Sequence, residues 1–259
     1  MEWTIICGGS NGIGKSVATE IISRGGGVLI FDKEEPDFGS DSSILFQAVD
    51  FGDSTDVQVA LGSIAKLLGH YPVTGVSVVN SLRVRENRGS SESLENWDYV
   101  IRVCLSVPHL VCKVALKFAQ SRNVPFRVCN LSSVLSSEVA LEQPAHYGAI
   151  KAAQDYLTKY WSVANRGSTV RIVSTGVSLG LVQKEGQLTQ GNFEGNSRWM
   201  ELAKSVQPSG RVAQQAEVAS TVVWLLLDAP ASVNGAIVNM DDGARHQEVY
   251  SLIGFVSNG

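Results

Sequence analysis

The sequence predicts a single-domain α/β fold, a doubly wound parallel sheet with helices on both faces. Three observations carry that prediction. Apolar runs of strand length alternate with longer helical stretches from one end of the chain to the other. The strand runs are almost continuous in β-branched and aliphatic residues, as burial on both faces of a parallel sheet demands. No Pro/Ser-rich linker or internal repeat divides the 259 residues, a length that suits one well-buried core.

The elements follow in order. Trp3–Cys7 reads as a strand, Ile13–Arg24 as a helix and Gly27–Phe31 as a second strand. A strand at Ile44–Val49, a helix at Thr55–Leu68 and a strand at Gly75–Val79 come next. A long helix is expected over Ser93–Gln120, then a strand at Phe126–Leu131, a helix over Pro144–Asn165 and a strand at Thr169–Thr175. A helix at Gln214–Leu227 and a strand at Ala236–Asn239 complete the alternation, which winds a parallel sheet. Gln183–Ser209, rich in Gly, Gln and Asn, breaks the pattern. We read it as a substrate lid at 183–209, the alternative being a plain surface excursion.

Composition excludes several classes of protein. With 44% hydrophobic and 18% charged residues, the chain is neither disordered nor a polar tail. Its net charge of −4 and scattered basic residues give nucleic acid no electrostatic footprint. No continuous apolar run approaches the ~20 residues of a membrane span, so no membrane partner is expected. A strand-like segment at Trp3–Ile6 leaves no room for a signal peptide before it, and a cytoplasmic location is expected. Cys7, Cys104, Cys112 and Cys129 sit in apolar surroundings without Cys-x-x-Cys spacing, which reads as buried reduced thiols. The four histidines are scattered, and no metal is expected.

The chemistry begins at Gly8-Gly9-Ser10-Asn11-Gly12-Ile13-Gly14, between the first strand and the first helix. Glycines in a strand–turn–helix unit permit a tight turn, close approach of a pyrophosphate and tight packing of helix on sheet. Backbone N–H groups at the helix start then hold the phosphates, which makes the expected fold Rossmann-type. Asp32 ends the second strand about 20 residues further on. A carboxylate there accepts hydrogen bonds from the ribose hydroxyls of NAD and repels the 2′-phosphate of NADP; a turn-initiating Asp is the plainer reading. Lys33 beside it runs against the NAD assignment.

The spacing Gly8-x-x-x-Gly12-x-Gly14 resembles the glycine motif of the short-chain dehydrogenase/reductase family, in which Thr usually stands at the place of Cys7. The resemblance covers essentially the whole chain. Asn130-Leu131-Ser132-Ser133 followed by Tyr147-Gly148-Ala149-Ile150-Lys151 is similar to the family pattern Asn-x-Ser-Ser…Tyr-x-x-x-Lys. Ser133 lies one residue further from the tyrosine than is commonest, and Ser132 is the alternative. The resemblance implies an NAD-dependent alcohol dehydrogenase/reductase. Its catalytic residues are Ser133, Tyr147 and Lys151, and its cofactor loop comprises Gly8, Ser10, Asn11, Gly12, Ile13 and Gly14. It further implies adenosine contacts at Asp32, Asp50 and Phe51, and contacts toward the nicotinamide end from Asn80, Tyr147, Lys151 and Val182. Free tyrosine, with a pKa of about 10, is a poor base at neutral pH; a neighbouring ammonium and a cationic nicotinamide favour the tyrosinate.

Two departures from the family pattern stand out. Asn80-Ser81-Leu82-Arg83 replaces Asn-Asn-Ala-Gly, and Cys104 stands where a catalytic Asn is usual. Because Pro108 has no N–H, it frees the carbonyl four residues earlier. In the family that position offers its main-chain carbonyl to a water linking the active-site lysine to solvent, so the resemblance implies that the Cys104 carbonyl, exposed by Pro108, keeps this role toward Lys151. Leu135, Val139, Leu141 and Val177 are candidates for an apolar substrate wall, with core packing the alternative. The family often forms tetramers through the helices that correspond to Val107–Phe118 and the Tyr147 helix. Both are apolar on more than one face here, so a homotetramer is expected, with a dimer as the alternative. A non-redox member of the fold and a catalytically silent NAD-binding protein remain competing functions.

Overall fold

The computed structural model describes residues 1–39, 41–84, 93–141, 143–164, 166–183, 201 and 203–247. The chain runs through β1 (Glu2–Cys7), α1 (Gly12–Ser23), β2 (Gly27–Asp32), β3 (Ile44–Ala48), α2 (Ser54–Leu68) and β4 (Gly75–Asn80). It continues through α3 (Leu94–Ile101), α4 (Val107–Arg122), β5 (Phe126–Ser133), α5 (Ala145–Val163) and β6 (Ile172–Leu179). The short β7 (Val182–Gln183) and β8 (Ala213–Gln214), then α6 (Gln215–Val223) and β9 (Ile237–Met240), complete it. Seven strands form one sheet in the order β3-β2-β1-β4-β5-β6-β9, and every neighbouring pair is parallel.

Alternation along the strands divides the core into two halves. Trp3, Ile5 and Cys7 of β1, with Leu29 and Phe31 of β2, face the side covered by α2, α4 and α5. Ile6, Val28 and Ile30 face α1 and α6 on the other side. Strands buried on both faces have no polar position to spare, which is why their sequences read as unbroken apolar runs. The chain winds outward from β1 to β3 and then returns to β4, so the winding reverses between β1 and β4. A crevice at the carboxyl ends of the strands is expected at that switch point.

Two differences from the predicted elements have clear physical causes. β6 lies over Ile172–Leu179, not Thr169–Thr175, because Gly176 does not end it. A Cβ at Gly176 would lie 3.2 Å from Thr158 Oγ1, so the glycine serves the close approach of α5. The expected long helix is interrupted at Arg102–Ser106 by a π-helical turn immediately before Pro108. Leu94–Arg122 together has the length and apolarity of a membrane span. Here, however, Val103, Cys104, Val107, Val111, Cys112, Ala115 and Phe118 pack into the core. All four cysteines are buried and free.

Candidate active site

Gly8, Asp32, Asn80 and Ser133 all lie at or just beyond the carboxyl ends of their strands, around the switch point. The glycine loop is shaped by sterics. Gly8 and Gly12 have φ of +84° and +56°, and a Cβ on Gly14 would overlap the Gly8 carbonyl oxygen. Helix α1 starts at Gly12 with Asn11 as its N-cap. The Asn11 side chain makes no cap hydrogen bond, and no acidic residue occupies the first turn. The N–H groups of Ile13 and Gly14, at the second and third helical positions, have no partner within the helix. An uncapped helix start, free of negative charge and lined by glycine, fits a dinucleotide pyrophosphate.

Asp32 stands next to this loop. Its carboxylate accepts from the Ser10 N–H at 2.9 Å and the Lys33 N–H at 2.8 Å, and the Ser10 hydroxyl donates to the Glu34 carbonyl. The Ser10 N–H is therefore committed to Asp32, and the carboxylate keeps acceptor capacity for a ligand. Lys33, the discordant residue, is ion-paired with Asp50 at 2.9 Å. That partner raises the Lys33 pKa and lowers that of Asp50. Phe51, by contrast, is buried in the core.

The groups predicted to react come together at the start of α5. One turn apart, Tyr147 and Lys151 share a helix face, and the Lys151 ammonium lies 5.8 Å from the Tyr147 ring centroid. The Arg83 guanidinium lies 5.1 Å from the same centroid, so two cations flank the ring. Ser133 is buried at the end of β5, its hydroxyl accepting from the Leu135 N–H at 3.2 Å. Neighbouring Ser132 points the other way and donates to the Lys151 carbonyl at 3.3 Å. Between the two serines, Ser133 is the one not tied to the α5 backbone. Leu82 lies against the glycine loop, its Cδ2 3.1 Å from where a Gly8 Cβ would stand.

Behind Lys151 the arrangement corrects the expectation for Cys104. The Cys104 carbonyl does turn toward the lysine, but the side-chain amide of Gln154 spans the gap assigned to water. Lys151 Nζ donates to Gln154 Oε1 at 2.9 Å and to the Leu131 carbonyl at 2.7 Å. Gln154 Nε2 donates to the Cys104 carbonyl at 2.8 Å. In this orientation the amide anchors an ammonium but hands no proton on. Burial pushes the Lys151 pKa down; Tyr147 and Cys104 oppose that shift, and Arg83 adds to it. Asn80 is also buried, and donates to Asn130 Oδ1.

Gln154 was missed by the sequence reading. The signal available was its spacing: three residues beyond Lys151 and four before Thr158, it shares a face with both. Of the candidate wall residues, Val177 is fully buried core, whereas Val139 and Leu141 are strongly exposed. Val182 sits in β7, half-buried against the second core half. Most of the proposed lid lies outside the described residues. Its flanks do converge, since Val182 and Gln183 pair with Ala213 and Gln214.

Comparison with known proteins gives the class. A family model described as Enoyl-(Acyl carrier protein) reductase matches residues 8–245. The chain belongs to the short-chain dehydrogenase/reductase family, and is by that membership an oxidoreductase. D-threitol dehydrogenase of Mycolicibacterium smegmatis is 25% identical, with 92% of this chain and 91% of that protein covered. Among solved structures, 4-hydroxyisoleucine dehydrogenase complexed with NADH superposes with a TM-score of 0.82 at 19% identity, covering 96% of this chain and 100% of that one. A Tyr-to-Phe variant of ElxO with NADPH bound superposes with a TM-score of 0.78 at 20% identity, covering 95% of this chain and 99% of that one. The likeness to these two structures is one of fold.

Proposed function

We propose that the protein is an NAD-dependent oxidoreductase that interconverts a secondary alcohol and a ketone, with Tyr147 as the general acid/base. The observation that carries the reading is the placement of Tyr147, Lys151 and Ser133 at the sheet's carboxyl end, beside a glycine cradle. Bound NAD supplies the hydride chemistry. The chain's own residues hold the oxygen and move the proton. Ser133 holds the substrate oxygen, and Tyr147 takes the hydroxyl proton in oxidation and returns it in reduction. Lys151 stabilises the tyrosinate and binds the nicotinamide ribose. The Asp32 carboxylate, together with the engagement of Lys33 by Asp50, favours NAD over NADP.

The name of the D-threitol dehydrogenase relative directs attention to polyols as well as simple secondary alcohols. The test is the absorbance of the reduced nicotinamide with NAD or NADP and such a panel, run beside Tyr147→Phe. Turnover by the parent is expected, with a loss on the order of 10³-fold in the variant while NAD still binds. Cofactor binding without turnover by any alcohol or ketone would favour the second reading, a silent NAD-binding protein. Leu82 on the glycine loop and Arg83 on Tyr147 are the observations behind that alternative.

A homotetramer assembled through α4 and α5, with a dimer as runner-up, belongs to the same proposal. Tyr156, Tyr160 and Val163 of α5 and Leu110 of α4 leave large apolar side chains exposed. Sedimentation as a monomer at micromolar concentration would refute assembly through this face.

A further inference from the structure

A buried ammonium must be given acceptors, and Lys151 is given two. The Leu131 carbonyl comes from β5 and cannot be varied by mutation, but Gln154 Oε1 is a side chain. Gln154 is itself only 2% exposed, and its amide has a single workable orientation. Flipping it would turn the NH₂ toward the ammonium and set the amide oxygen against the Cys104 carbonyl. That carbonyl accepts from Gln154 Nε2 at the π-helical turn Arg102–Ser106, where Pro108 cannot supply an N–H to it. The main chain of Gln154 is fixed as well. Its carbonyl accepts from Thr158 Oγ1 at 3.0 Å, and Thr158 accepts from Asn130 Nδ2 at 2.9 Å. Asn130 in turn accepts from Asn80 at the end of β4. A buried polar ladder therefore runs from β4 through β5 into α5 and ends on the lysine.

We propose that Gln154 is the positioning residue of the Tyr147–Lys151 pair: its amide, oriented by the Cys104 carbonyl, holds the Lys151 ammonium in place and in its charged form. The charged and titratable groups around that ammonium are Tyr147 and Asp155 on α5, Cys104 in the π-helical turn, and Arg83 after β4. None of them supplies the neutral acceptor that Gln154 does. The kinetic consequence rests on the redox function proposed above, whereas the anchoring of Lys151 does not.

The experiment is therefore done first on the protein without cofactor. Lysine labelled with ¹³C at Cε is followed by NMR against pH, with the Lys151 signal identified by its loss in Lys151→Met. Gln154→Leu removes the acceptor at similar volume and is expected to lower the Lys151 midpoint by about one pH unit or more, as losing a hydrogen bond to a charged group implies. Gln154→Glu restores an acceptor and is expected to hold the midpoint at or above the parent's. In alcohol oxidation with NAD, the acid limb of the kcat profile moves to higher pH in Gln154→Leu, with KM for NAD changed less than about threefold. A folded Gln154→Leu protein with an unmoved lysine midpoint overturns the proposal. If that variant does not fold, Gln154→Asn, which withdraws the amide by one methylene, must lower the midpoint too; an unmoved value there overturns it equally. Absence of turnover with every alcohol sinks the proposed function, while the lysine titration still decides the anchoring.

Discussion

The glycine loop and the surroundings of Lys151 form opposite ends of one site, and they reach their geometry by different routes. At the loop the constraint is in the backbone. Gly14 must lack a Cβ because the Gly8 carbonyl occupies its place, and Gly8 and Gly12 need positive φ. Asp32 reaches the loop because β2 lies directly beside β1. Around Lys151 the constraint lies in a tertiary network of side chains and carbonyls: the Leu131 carbonyl in β5, the Gln154 amide in α5, the Cys104 carbonyl before α4 and the Arg83 guanidinium after β4. A backbone constraint dictates residue type and so leaves a mark in the sequence. A tertiary hydrogen-bond network dictates only partners, and those exist only once the chain is folded.

The most severe way to break this contrast is Gly14→Ala. The added methyl must displace the Gly8 carbonyl or the start of α1, and overpacking of this kind costs about 3 kcal/mol. The urea midpoint should fall accordingly, and any protein that folds should bind NAD more weakly by calorimetry. An alanine variant with the parental midpoint and parental NAD affinity would show that the loop is not set by that contact.

The same contrast explains how much was legible in the sequence. The seven sheet strands, the helices between them and the Gly8–Gly14 loop all carry local signatures, and all the strands but β6 lie within two residues of where the sequence puts them, whereas α6 ends at Val223, four residues short of the expected Leu227. For β6, Gly176 reads as a terminator when only chain-local rules apply; its true role is to admit Thr158 of α5. Pro108 points to the Cys104 carbonyl as an acceptor, but what that carbonyl meets depends on a residue 50 positions away. Gln154 itself looks like an ordinary polar helix residue until β5 and the π-helical turn close over it. Val177 shows the converse: apolar and near the site in sequence, it faces the core because of its strand register.

A smaller effect is expected from Asp32→Ser, which sharpens the contrast by separating two duties of one residue. Serine can retain a bond with the Ser10 N–H but loses the negative charge. The ratio of kcat/KM with NAD to that with NADP should drop by roughly tenfold or more, the scale of a hydrogen bond to a charged group. An unchanged ratio would mean that Asp32 serves only to fasten the loop.

The smallest effect is expected from Arg83→Ala, and it probes the lysine end from the solvent side. The guanidinium is exposed, stacks on Tyr147 and contributes to the fall in the Lys151 pKa. Removing a like charge favours the ammonium, so the Lys151 midpoint should rise, by about a few tenths of a pH unit at low salt. Because the interaction runs through a solvent-exposed group, ~0.5 M salt should erase most of the difference. The shift caused by Gln154→Leu has the opposite sign and arises inside the protein, so it should survive the same salt. A rise in Arg83→Ala that persists at high salt would place Arg83 inside the network that fixes the lysine, not at its edge. No rise at low salt would remove Arg83 from the electrostatics of Lys151 and leave its contact with Tyr147 as packing alone.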